Sequence, residues 1–340
     1  MLPKVAIIIL NWNGWEDTLE CLESLYQLNY PNYQIVVADN FSEDESLKRI
    51  REYCDGQIRV KSPLVDYRSD KKPLKIHEYS EDVLDKDPID PPAKTELVLL
   101  KNSKNHGFAK GNNLAVEFAL RAIKPDYFLL LNNDTVVDSH LLDELINAAD
   151  EQTGCLGPKI YYYDYQGRTD VLSFTWERIN FFTSLGKRCG KDQVDQRQCD
   201  HNHETDKVEG CSMLLKREVV EQLGLFDPIY FAYWEETDLC QRIKKAGWKL
   251  VYVPEARMWH KVGMQWENYF SYFVIYHYLV RNRLIFMWRY TSALQKAVFT
   301  IYFIFYLLAN LVVMLITQNR KTSRKGLKAV KDGLNDFWAL

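Results

Sequence analysis

An α/β fold built on an open, mostly parallel sheet with flanking helices is predicted by three features of the chain. Short apolar runs recur at Val5–Leu10, Gln34–Ala38, Leu97–Lys101 and Tyr127–Leu131, with the length and composition of strands covered on both faces. Stretches with apolar residues at helical spacing separate them. Most of these runs also stop abruptly in polar residues, as at Asn11-Trp12-Asn13-Gly14, Asp39-Asn40-Phe41-Ser42 and Asn132-Asn133-Asp134. In open parallel sheets, ligands gather outside the carboxyl ends of the strands.

The 340 residues accommodate one large α/β domain and an appendage. With 47% hydrophobic and 26% charged residues the chain is an ordinary folding sequence, and a net charge of −3 gives no reason to expect a nucleic-acid partner. Seven cysteines, an odd number without a C-x-x-C pair, argue against a disulfide framework and for a reducing compartment. The first apolar run is too short for a signal peptide and reads as a strand.

In order, the first strand leads into a helix over Thr18–Leu28, stopped by Tyr30-Pro31. The second strand leads to helical Glu45–Tyr53. This strand–helix–strand opening is that of a doubly wound nucleotide-binding sheet, although G-x-G-x-x-G is missing and a dinucleotide site has no support. Residues 62–95, rich in proline and charge, read as a surface insertion. Asn105-His106-Gly107-Phe108-Ala109-Lys110-Gly111-Asn112-Asn113 reads as a loop whose backbone approaches a ligand closely, followed by helical Leu114–Ala122. After the Tyr127 strand come helical Leu141–Ala149 and a strand over Cys155–Tyr163. The irregular stretch 164–207 has the character of a substrate-facing loop. Its Cys189, Cys199, His201 and His203 are zinc-capable types at a spacing that matches no zinc pattern, so solvated loop residues are the simpler reading.

Two segments carry candidate chemistry. Asn132-Asn133-Asp134 is either a turn or a carboxylate placed to hold a hard divalent cation on a phosphate. Glu235, Glu236 and Asp238 crowd three acids behind the aromatic cluster Phe231–Trp234. They are either helix N-terminal acids favoured by the dipole, or they include a general base beside a hydrophobic wall. Arg242 stands four residues after Asp238 and suits an ion pair with it. His260 follows the strand Lys249–Val253 and is a candidate metal ligand.

In these residues the chain resembles family 2 inverting glycosyltransferases of the GT-A fold, rhamnosyltransferase-like enzymes of cell-surface polysaccharide assembly. The resemblance rests on IIILNWNG, VVADNFSED, NHGFAKGNN, LLLNNDT, EGCSMLLKR and FAYWEETDLCQRIKKAGW followed by WHKVG, in that order. It implies a catalytic domain over 1–265 that takes a nucleoside-diphosphate sugar. Leu10, Asn11 and Asp39 would contact base and ribose, and Asn105, Gly107 and Gly111 would shape the loop over the donor. Asn133 and Asp134 stand at the family's Asp-x-Asp motif, with Asp134 and His260 on a Mg²⁺ or Mn²⁺ ion. Glu236 would be the catalytic base, with Glu235 as the other candidate, and Gly210, Cys211 and Trp234 would face the acceptor. Asn132 replaces the motif's first Asp, leaving the metal one carboxylate fewer.

The segment 266–340 reads as a helical, membrane-associated region. Ala297–Ile316 is twenty residues without a formal charge, long enough to cross a bilayer core, lie re-entrant or lie in plane. These features together imply transfer of a sugar to a glycan or lipid-linked acceptor at the cytoplasmic face of the cell membrane. The rivals are a sugar nucleotidyltransferase, for which the first loop lacks a basic residue, and a membrane-anchored glycan-binding protein with an inactive site.

Overall fold

The computed structural model describes residues 2–92, 96–262, 272–317 and 320–340. The elements that carry the sheet begin with β1 (Val5–Asn11), α1 (Trp15–Leu25), β2 (Tyr33–Asp39), α2 (Ser46–Cys54), β3 (Ile76–Ser80), β4 (Leu97–Lys101), α3 (Gly107–Phe118) and β5 (Tyr127–Asn132). They continue through β6 (Thr135–Val137), α4 (Leu141–Asn147), β7 (Thr153–Tyr162), β8 (Leu172–Phe174), β9 (Glu177–Ile179), β10 (Gly186–Arg188) and β11 (His203–Glu204). Then come β12 (Ser212–Lys216), α5 (Arg217–Leu223), α6 (Glu235–Lys245) and β13 (Lys249–His260). Three long helices close the chain: α7 (Tyr272–Tyr290), α8 (Ala293–Thr317) and α9 (Arg320–Trp338).

The sheet runs β11-β13-β7-β12-β5-β1-β2-β4-β3. The half from β3 to β5 is parallel throughout. In the other half β12 is antiparallel to both neighbours, while β7 and β13 are parallel, so the whole sheet is mixed. Successive residues of β1 divide between two cores. Ile7 and Ile9 pack with Leu19, Leu22 and Leu141 on the α1–α4 side, while Ala6 and Ile8 pack with Ala115, Phe118 and Leu239 on the α3–α6 side. That two-sided burial is why these runs lack polar alternation. Each fully covered isoleucine contributes about 1.5–3 kcal/mol.

Several elements differ from the sequence reading. The insertion 62–95 supplies β3, a parallel edge strand on β4, instead of surface loop alone. Its exposed Glu78 and Ser80 hide the strand pattern. The glycine-rich stretch is a loop only to His106. From Gly107 it is the first turns of α3, and the close approach is made by a helix. Gly107 has φ +75, and a Cβ on it would lie 2.5 Å from the Phe231 ring. A Cβ on Gly111 would lie 2.8 Å from Leu10. The strand expected over Lys249–Val253 runs on to His260. Cys189 and Cys199 form a disulfide, against the expectation of solvated loop residues in a reducing compartment. The other five cysteines are free and buried. The expected domain boundary at 265 and Gly263 of the WHKVG motif lie outside the described residues.

Candidate active site

Strand register gathers the polar ends. Leu10 lies opposite Asn132 and Asn11 opposite Asp39, so β1, β2 and β5 finish at one edge. After β5 the chain turns at Asn133-Asp134 and returns as β6, which pairs antiparallel with the end of β13 and sets His260 opposite Thr135. The Lys261 amide donates to the Asp134 carbonyl at 2.9 Å, closing that corner. Because β12 is antiparallel to β5, it starts at the same edge, and the Asn132 amide donates to Cys211 O at 3.0 Å. Gly210 lets α6 come close, since a Cβ on it would stand 3.2 Å from that of Glu236.

A cavity of about 340 Å³ opens at this edge. Of the residues singled out from the sequence, Leu10, Asn105, Gly107, Asn133, Asp134, Gly210, Cys211, Glu235, Glu236 and His260 line it. Asn11, Asp39, Gly111 and Trp234 do not. Asp39 is buried behind the edge, accepting from Asn11 Nδ2 (2.8 Å), Ser42 Oγ (2.6 Å) and the Ser42 amide (3.0 Å). Gly111 gives α3 its seat on Leu10. Trp234 is the residue before α6, with φ 73, and faces a neighbouring cavity.

The structure adds lining residues that the sequence reading did not choose, among them Trp12, Asn40, Glu209, Phe231 and Tyr233. Asn40 had a signal, being the residue after β2. Its amide donates to Asn105 Oδ1 (3.0 Å) and Gly107 O (3.2 Å) and accepts from the His106 amide (3.1 Å), so it braces the start of α3. Phe231 had one as well, as the first of the aromatic cluster ahead of the acids, although its tie to α3 had none. Its carbonyl receives the Phe108 and Ala109 amides, a tie between distant segments.

Electrostatics divide the cavity into two poles. At one, His260 Nε2 stands 3.2 Å from Asp134 Oδ1, a buried oxygen that accepts no well-formed hydrogen bond. Burial pushes the Asp134 carboxyl up, but facing His260 and nearby Lys261 outweigh it and hold the group below its ordinary range. Burial lowers His260, and Asp134 and Cys211 outweigh that to push it well up. A buried carboxylate and imidazole whose facing atoms lie 3.2 Å apart would suit one hard divalent cation in place of the proton they share. Two protein ligands leave its other positions for substrate oxygens. Among the described residues no third acidic, histidine or cysteine side chain completes the set.

At the other pole the acid pair opens α6. Buried Lys207 places Nζ 2.7 Å from Glu236 Oε1 and 3.4 Å from Glu209. Burial lowers Lys207, but Glu209, Glu236 and Glu177 together push it above its ordinary value. Glu235 is different. Burial first, then the charge of Glu236, lifts its carboxyl well above the usual range, and its Oε2 is buried without a hydrogen-bond partner. The two neighbours therefore differ: Glu236 is ion-paired to Lys207, while the raised Glu235 carboxyl favours its protonated form. Asp238 is fully buried and spent on structure: Arg242 Nε (2.8 Å), Tyr290 OH (2.8 Å) and Tyr230 OH (3.1 Å) all reach it.

This is an α/β fold with a buried carboxylate–imidazole pair and a buried pair of glutamates at its strand ends. Residues 84–272 match the family described as "Glycosyltransferase like family 2", and residues 6–65 match "Glycosyl transferase family 2". The chain belongs to glycosyltransferase family 2. Among curated relatives it is 24% identical to a low-salt glycan biosynthesis hexosyltransferase of Haloferax volcanii over 72% of this chain and 63% of that protein. It is 29% identical to the N-acetylglucosaminyl-diphospho-decaprenol L-rhamnosyltransferase of Mycobacterium tuberculosis over 48% of this chain and 58% of that one. The chain thus spans about 60% of the length of these two relatives. A mannosyltransferase from Pyrobaculum calidifontis, solved with GDP-Man and Mn²⁺, superposes with TM-score 0.55 at 12% identity over 99% of this chain and 88% of that one. That superposition establishes the shared fold.

Proposed function

We propose that the chain is an inverting glycosyltransferase that moves a sugar from a nucleoside-diphosphate sugar to a lipid-linked glycan acceptor at the cytoplasmic face of a membrane. One observation carries this reading: Asp134, His260 and Glu236, far apart in sequence, line a single cavity at the strand ends.

Each pole has a task in direct displacement. Glu236 takes the proton of the acceptor hydroxyl as its oxygen bonds to the anomeric carbon, and a positioned base is worth ~10²–10⁴-fold. The bond from that carbon to the diphosphate breaks on the opposite face, which inverts the centre without a protein nucleophile. Lys207, with Nζ 2.7 Å from Oε1, fixes the position of the Glu236 carboxylate. Glu235, its carboxyl raised by burial and by the charge of Glu236, adds little second negative charge beside the base. Asp134 and His260 would hold a Mg²⁺ or Mn²⁺ ion, which supplies neutralisation of the charge on the departing diphosphate. Asn40 and Phe231 fix α3 over the donor, and such positioning supplies much of the remaining acceleration. Membrane attachment is supported by α8, whose window Ala293–Asn310 is long and apolar enough to cross a bilayer and is only 11% buried. The M. tuberculosis relative, whose name specifies a diphospho-decaprenol acceptor, supports a lipid carrier.

The test is a thermal-shift panel of nucleoside diphosphates with and without Mn²⁺, alongside donor turnover. Asp134→Ala should remove the metal-dependent part of the shift. Glu236→Gln should keep that shift and lose turnover by ~10²–10⁴-fold. No shift with any nucleotide, or full activity in the Glu236→Gln protein, would overturn the reading.

A further inference from the structure

A second cavity of about 610 Å³ adjoins the first and shares Glu209, Tyr233 and Glu236 with it. Its lining includes neither Asp134 nor His260, although Arg188, Lys191 and Glu209 also line a small third cavity that holds both. The cavity is walled by the start of α6, the β9–β10 hairpin and α7. Its lining carries four cations and four carboxylates, arranged unevenly. The inner pairs are committed: Arg188 Nε to Glu177 at 2.5 Å, and Lys207 to Glu236 and Glu209. The other two cations are less committed. Lys191 reaches Asp192 only at 3.9 Å, with both side chains about half exposed. Arg283 has no carboxylate within 4.0 Å among the described residues. Its guanidinium instead lies over the rings of Tyr306 (4.9 Å), Trp234 (5.7 Å) and Phe303 (5.8 Å).

A guanidinium braced by aromatic faces keeps its N–H edge for an incoming ligand, and that edge matches phosphate oxygens. Two of the bracing rings, Phe303 and Tyr306, belong to α8. Around them Ile301, Ile304, Phe305 and Leu308 are 60%, 52%, 68% and 53% exposed. The cavity therefore joins a base to a guanidinium with no carboxylate partner among the described residues, and that guanidinium abuts rings of an apolar helix just outside the lining. We infer that it is the acceptor site and takes an isoprenoid diphosphate-linked sugar, its hydroxyl at Glu236, its diphosphate at Arg283 and Lys191, its chain along α8. This assignment rests on the glycosyltransferase reading above and names the residues that would take the acceptor.

The probe is geranylgeranyl diphosphate in detergent micelles, titrated calorimetrically into the full chain with UDP and Mn²⁺ present. Saturable binding is expected, weakened about tenfold or more by Arg283→Gln, as loss of a charge-assisted contact implies, and less by Lys191→Ala. Lys191 is exposed, so its variant gives a readout even where Arg283→Gln disturbs folding. Geranylgeraniol and inorganic pyrophosphate should each bind far more weakly than the intact diphosphate lipid. Affinity unchanged in both variants would overturn the inference, as would equal binding of geranylgeraniol or displacement by phosphatidylglycerol at equal concentration. A retained nucleotide thermal shift alongside absent lipid binding sinks this assignment alone. An absent nucleotide shift sinks the glycosyltransferase reading.

Discussion

Glu235 and Glu236 are neighbours in the chain, yet their carboxyl groups meet opposite surroundings. Lys207 reaches Glu236, while Glu235 keeps a buried oxygen with no partner. A raised pKa in the folded state means that the native protein holds this proton when the unfolded chain has released it. Stability then falls as pH rises above 4.5, the ordinary value, towards the folded value. Glu235→Gln removes that proton uptake and keeps the shape. The variant should match the wild type near pH 4.5 and gain on it above, by up to about 1.4 kcal/mol per pH unit within the window. Urea unfolding at pH 5, 6, 7 and 8 measures the gap, and a gap that stays flat would mean that Glu235 ionises normally in the fold. At this scale the sequence was informative about types and poor about partners. Three acids behind aromatics marked the place, and the Asp238–Arg242 spacing predicted their 2.8 Å contact. Lys207 lies on an irregular segment, where no periodicity says which way a side chain points.

Elements are tied together by contacts that leave no pattern in sequence. The turn before α6 holds Phe231, Tyr233 and Trp234 at φ 56, 68 and 73, a left-handed region costly for such residues. What secures it is Asn282 on α7, wholly buried, whose Nδ2 lies 2.8–2.9 Å from the carbonyls of Tyr230, Ala232 and Tyr233. Arg281 adds a contact to Ile229 O at 2.7 Å. The C-terminal helices are therefore part of the site's construction, although the sequence suggested only a membrane appendage. Asn282→Asp keeps the size and replaces the donor with an acceptor facing three carbonyls. It should destabilise the fold by about 1–3 kcal/mol. By letting the Phe231 turn drift, it should lower turnover on the order of 10²-fold. Turnover equal to wild type, in a protein with the expected loss of stability, would confine Asn282 to a structural role. Apolar strands were legible because both faces are covered. β3 was not, because an edge strand tolerates charge and proline-rich flanks.

Across the whole molecule, two cores account for the sheet, and a third cluster joins α7 and α8 to Trp234. That third cluster leaves most of α8 bare. Phe299 and Phe303 are buried, while Ile301, Ile304, Phe305, Leu308, Val312, Val313, Leu315 and Ile316 are 52–77% exposed. An apolar surface of this extent is not left to water in a soluble monomer. Under the proposed function a bilayer covers it, which would also bring the second cavity to the level of a lipid carrier's head. Attachment through this face is apolar, so flotation of the protein with vesicles should survive high salt, which screens any contribution of the basic residues in α9. Ile304→Asp with Leu308→Asp places two charges one helical turn apart on the exposed side. Each costs about 2.5–3.5 kcal/mol at the centre of a membrane helix. The double variant should therefore stay in solution while its nucleotide thermal shift is unchanged, since neither residue touches the first cavity. Vesicle binding that persists in the variant but vanishes in salt would move the attachment to the charged helix α9 and leave the exposed face of α8 without its proposed cover.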